Sequence, residues 1–159
     1  MIQLRTLLIA STVAATLALT ACGSPMMGNT TTISAKLSGA NEVPAVNGSG
    51  TGMLDASFNK DTSVLTWTVT YSGLTGPVAA GHFHGPAMAG ANAGVALGFS
   101  GSMDSPIIGS ATLTAAQAAD LLAGKWYVNL HTAANKGGEI RGQATTATAG
   151  AMSSSGSGY

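Results

Sequence analysis

Three histidines are the whole imidazole complement of this 159-residue chain, and two of them stand one residue apart in the run AAGHFHGPA. Side chains at i and i+2 of a strand project from one face, so His82 and His84 can turn their ring nitrogens toward a single ion. The third, His131, ends the run YVNLHT. Three imidazoles from two strands are a donor set for copper or zinc that leaves one coordination position open. Met88 is close in sequence and offers a soft thioether for Cu(I). Asn129 and Glu139 are spaced to orient the rings from a second shell. The alternative is that the histidines make structural hydrogen bonds to backbone around the GPA turn and the final hairpin.

Glu139 and Arg141 alternate with Ile140, so they share a strand face. They form either a recognition and charge-guiding pair or a salt bridge within the last hairpin, the latter contributing ~0–1 kcal/mol if exposed. Glu42 is a partner for backbone N–H groups or for Arg141; both assignments stay open. No catalytic triad, paired carboxylates or phosphate-binding loop occurs.

The only cysteine, Cys22, has a different chemistry. Residues 1–22 read MIQLRTLLIASTVAATLALTAC, with Arg5 as a basic start and an apolar stretch from Leu7 to Leu19 that is short for a bilayer span. Leu19-Thr20-Ala21-Cys22 resembles the lipobox cleaved by lipoprotein signal peptidase. The resemblance implies diacylglyceryl modification of the Cys22 thiol and anchoring by several acyl chains, each buried CH₂ contributing about 0.8 kcal/mol. Gly23 after the cysteine favours the outer membrane, if the source has two membranes. A single cysteine excludes a disulfide within the chain.

These residues must be positioned by a small, weakly charged domain. Charged residues are 8% of the chain and aromatics 5%, against 22 glycines. Lys and Arg number 6, as do Asp and Glu. Without a basic patch, nucleic-acid binding has no electrostatic support. Residues 23–31 read as a flexible tether, 32–147 as the domain and 148–159 as a disordered tail.

Alternation at period two recurs through the domain. Ile33, Ala35 and Leu37 share one face, as do Leu54, Ala56 and Phe58. Leu65, Trp67, Val69 and Tyr71 oppose Thr66, Thr68 and Thr70. Trp126, Val128 and Leu130 oppose Tyr127, Asn129 and His131, and a last strand spans 139–145. Trp67 and Trp126 take core positions. Shorter strands are predicted at 79–85, 94–99 and 107–113. Thr114 and Gln117 have capping-box spacing before a helix over 115–123, with Gly124 just beyond it. The predicted fold is mainly β: an antiparallel, Greek-key-like β-sandwich with one short helix.

Six segments in order resemble a CHRD (chordin-type) domain: LSGANEVP (37–44), SGLTG (72–76), AAGHFHGPA (79–87), LTAAQAADLLAG (113–124), YVNLHT (127–132) and GGEIRGQ (137–143). The resemblance implies the fold and an exported location more than a reaction. A more distant similarity, strand–GL turn–HxH followed by a later strand histidine, is to copper/zinc superoxide dismutases. It implies copper at His82, His84 and His131. The bridging histidine, the zinc-binding loop and the disulfide of those enzymes have no counterpart, so it does not extend to dismutase activity. Three roles follow: a membrane-anchored, non-enzymatic binding module for an envelope partner, a copper or zinc binding or redox protein, and a structural envelope protein.

Overall fold

The computed structural model describes residues 29–147. Eight strands and one helix follow in order: β1 (Thr30–Ser38), β2 (Thr51–Asn59), β3 (Val64–Ser72), β4 (Val78–His84), β5 (Val95–Gly98), β6 (Ile107–Thr112), α1 (Ala115–Leu122), β7 (Trp126–Thr132) and β8 (Ile140–Thr146). β1 opens at Thr30, two residues ahead of the predicted domain start. A short 3₁₀ turn at Gly39–Asn41 follows it.

The strands form one sheet in the order β5-β4-β7-β8-β1-β2-β3-β6, and every neighbouring pair is antiparallel. The two layers of the predicted sandwich are thus halves of a single curled sheet, joined where β8 pairs with β1. Alternation decides which side of each strand enters the curl. Ile33, Leu37, Leu54, Phe58, Leu65 and Val69 come from one half, and Phe83, Val128, Leu130 and Ile140 from the other; each is at most 2% exposed. Burial of each such side chain contributes about 1.5–3 kcal/mol. Across the curl, the Trp67 indole of β3 meets Phe83 of β4 edge-on, with ring centroids 5.4 Å apart. Gly109 on β6 leaves space for that indole, since a Cβ there would overlap the ring.

The helix begins as its residues require. The Thr114 hydroxyl accepts from Gln117 N–H at 3.3 Å, and Gln117 Oε1 accepts from Thr114 N–H at 2.9 Å. Gln117 Nε2 also donates to Ala96 O at 3.1 Å, tying the helix to β5. With the core filled from one side, the opposite face of β4, β7 and β8 collects the polar residues of these strands. It is roofed by the loops 39–47 and 85–94.

Candidate metal centre

β4 and β7 are neighbours, with Ala80 opposite His131, His82 opposite Asn129 and His84 opposite Tyr127. Gly81 and Phe83 of β4 and Trp126, Val128 and Leu130 of β7 point into the curl and are buried. His82, His84, Tyr127, Asn129 and His131 therefore stand on the outer face. His131 lies diagonally across from His82, within reach of long side chains. All three histidines are half-buried, and one nitrogen from each lies within 4.8 Å of the others.

Main-chain carbonyls orient two of the rings. His84 Nδ1 is 3.0 Å from Ala93 O, and His131 Nδ1 is 3.0 Å from Lys136 O. A carbonyl only accepts, so the neutral imidazoles carry their proton on Nδ1 and leave Nε2 as a bare lone pair. His84 Nε2 is buried without a partner. His131 Nε2 accepts a hydrogen bond from His82 Nδ1–H at 3.2 Å, which places the His82 proton on Nδ1 as well. A carbonyl-held imidazole whose second nitrogen is free, as in His84, is the usual support of a metal-ligating histidine. Two bonds of ~2.0 Å to one ion hold the nitrogens ~3.3–3.5 Å apart. The His82 and His131 nitrogens stand close to that spacing, and an ion bridging them would replace their hydrogen bond and displace the His82 Nδ1 proton.

Electrostatics favour the ligating form. Burial pushes the His82 imidazole below its ordinary range, and the neighbouring His131 and His84 push it further. Burial lowers His84 as well, outweighing the hydrogen bond to Ala93; His131 and Arg141 add to the depression. Both rings are thus biased toward the neutral form that a metal donor must take.

A stack on β7 and β8 braces the site. The His84 and Tyr127 rings lie parallel within 6°, with centroids 5.0 Å apart. Arg141 Cζ sits 3.7 Å over the Tyr127 ring centroid. Arg141 is 2% exposed; its Nη1 donates to Asn92 Oδ1 at 2.7 Å and its Nη2 to Ala91 O. Ala93 N–H donates to the Tyr127 hydroxyl at 3.1 Å, and Asn92 Nδ2 donates to Val43 O at 2.9 Å. These contacts pin the 85–94 loop that supplies the Ala93 carbonyl to His84. Met88, on the same loop, is 63% exposed.

The residues expected to hold the rings act elsewhere. Glu139 precedes β8 and accepts from the Thr75 N–H at 2.7 Å, the Thr75 hydroxyl at 2.6 Å and the Thr132 hydroxyl. Burial pushes its carboxyl up, but these bonds outweigh burial and leave it below the ordinary range. It makes no salt bridge with Arg141; among the described residues the single ion pair is Lys125–Asp120 at 3.6 Å. Glu139 and Arg141 are buried but apart: Thr75 and Thr132 satisfy the carboxylate, while Tyr127 and the 85–94 loop satisfy the guanidinium.

Asn129 Nδ2 donates to Glu42 Oε2 at 3.4 Å rather than to a histidine. Glu42 is 7% exposed. Burial raises its carboxyl to about 7 despite the opposing pull of Arg141 and Asn129. Glu42 Oε1 and Asn129 Oδ1 have no partner. Both press on Gly138, whose φ of +131° and missing Cβ allow the hairpin to pass over them. Of the two assignments open for Glu42, neither is realised as a direct bond; its polar partner is Asn129. The roles of Tyr127, Asn92 and the Ala93 and Lys136 carbonyls escaped the sequence reading. Tyr127 showed only as an outward-facing residue, and carbonyls have no side-chain signature. Cys22 and the leader lie outside the described residues.

The profile of the CHRD domain family matches residues 33–144, most of the chain and all three histidines. No curated protein and no solved structure matches the chain.

Proposed function

The chain belongs to the CHRD domain family, and on that footing we propose that it is an envelope metal-binding module, tethered to a membrane through Cys22, that holds one copper or zinc ion on His82, His84 and His131. The observation that carries this reading is the buried, partnerless Nε2 of His84, on a carbonyl-fixed ring in a cluster where one nitrogen of each histidine lies within 4.8 Å of the others. An unsatisfied buried nitrogen costs ~1–3 kcal/mol, and a bound ion would give His84 Nε2 its missing partner. His82 and His131 would join it by exchanging their mutual hydrogen bond for bonds to the ion. The ion would serve as a Lewis acid or redox centre, and the chain's own part is to present neutral rings and keep the 85–94 loop over them.

Export rests on the leader and its lipobox. Among the described residues no helix is long and apolar enough to cross a membrane, and the acyl chains on Cys22 supply the attachment in this reading. A pull-down of an envelope partner remains the signature of the rival binding-module role.

Calorimetric titration of dialysed protein with copper and zinc salts tests the centre: one equivalent is expected to bind. Uptake that survives conversion of all three histidines to alanine refutes it. The anchor is tested by labelling cells with a clickable fatty acid. Wild type is expected to label and Cys22→Ser is not.

A further inference from the structure

We propose that this centre selects copper in its monovalent state over Cu(II) and Zn(II); the inference rests on the three-histidine centre and names its cargo. The donor set is three neutral imidazoles with no anion. Among the described residues no Asp, Glu or Cys joins the cluster. The carboxyls on neighbouring segments, Glu42 and Glu139, are bound to Asn129 and to Thr75 and Thr132.

The nearest fixed charge is the Arg141 guanidinium, offset only in part by Glu42, whose carboxyl is raised to about 7. Arg141 is buried, has no carboxylate within ion-pair distance, and contacts Tyr127, which in turn stacks on His84. Its guanidinium carbon is thereby within about 9 Å of the His84 ring centre, at separations where a charge is felt through a half-buried site.

Charge and geometry then act in the same direction. The cost of taking an ion out of water rises with the square of its charge, so a dication loses more than a monocation when the donor set offers no anionic ligand. Repulsion from Arg141 doubles for a dication; at an effective dielectric near 20 and ~10 Å, each extra unit of charge weakens binding on the order of ten-fold. Cu(II) also favours a tetragonal set of four donors, and Zn(II) a tetrahedron. Three converging nitrogens suit a three-coordinate closed-shell ion, which imposes neither demand.

The test compares the dissociation constants of the full domain for Cu(I), measured anaerobically against a chromogenic chelator, with those for Cu(II) and Zn(II), measured by competition with buffering ligands. Cu(I) is expected to bind most tightly, and the bound couple to have a potential above that of the aqua ion. Gly98 faces His82 across β4 and β5, and the only atom near a Cβ placed there is His82 Cδ2 at 3.8 Å. Gly98→Asp therefore brings a carboxylate to the site without touching the core. It is expected to shift the preference toward the divalent ions by at least about ten-fold. Arg141→Gln is expected to shift it in the same direction. Equal or tighter binding of Cu(II) or Zn(II) by wild type overturns the selectivity while leaving the centre standing. An unmoved ratio in Gly98→Asp overturns its electrostatic origin. Failure of all three ions to bind overturns the centre itself, and the selectivity with it.

Discussion

His84→Ala separates a metal centre from a merely structural histidine cluster. In the wild type, Cu(I) supplied anaerobically at one hundred times its dissociation constant stabilises the fold by about 2.7 kcal/mol through one-site linkage. For a domain of this size ~1 kcal/mol moves Tm by roughly 4 °C, so the shift is about 10 °C. His84→Ala removes the ring whose Nε2 is buried and unpartnered. It leaves His82 and His131, already 3.2 Å apart, as a two-donor site. Outer-shell changes alone weaken metal sites about 10–100-fold, so loss of a ligand is expected to cost at least hundredfold. At the same Cu(I) concentration the stabilisation then falls to about 0.4 kcal/mol and the shift to roughly 2 °C. The assay is differential scanning fluorimetry or calorimetry, each variant being compared with its own metal-free form. That comparison removes the cost of losing the contact between the His84 and Tyr127 rings. A wild-type shift near zero, or an undiminished shift in His84→Ala, refutes the reasoning.

The metal-free fold should also respond to acid, because His82 and His84 are held neutral with folded-state pKa values below the ordinary 6.5. Their contribution is complete above 6.5 and declines as pH falls through and below it, which chemical denaturation across pH 5–8 checks. Glu42 acts with the opposite sign. Its carboxyl is raised from 4.5 to about 7, so the folded state binds more protons in that window and the contribution of Glu42 to stability declines as pH rises across it. Glu42→Gln is expected to be more stable than wild type at pH 8 and to lose that advantage by pH 5; parallel curves for the two proteins contradict the assignment. Gly109→Ala drives a methyl into the Trp67 indole and should destabilise by about 1–3 kcal/mol, read as a lower denaturation midpoint at unchanged m-value.

Local periodicity carried much of the fold. The run from Leu65 to Tyr71 declared a half-buried strand because its period-two pattern is the pleat itself. Thr114 and Gln117 declared a helix start because a capping box is a contact between residues three apart. The shared face of His82 and His84 was equally local. Six short segments in order identified the family, since each records a turn, a strand or the helix of the same fold.

Tertiary structure decided what depends on distant chain. His131 meets His82 only because β4 pairs with β7 in one register, 49 residues apart in sequence. A slip by one residue would turn the β7 face inward and disperse the site. The two-residue spacing of Glu139 and Arg141 predicted a pair, but Thr75, 64 positions away, captures the carboxylate, and the 85–94 loop captures the guanidinium. The carbonyls of Ala93 and Lys136 fix the proton positions on two imidazoles, and every residue has a carbonyl. Side-chain pattern therefore revealed which groups were available for chemistry, while strand register and loop path, set by packing across the whole sheet, decided which of them met and which nitrogens were left bare.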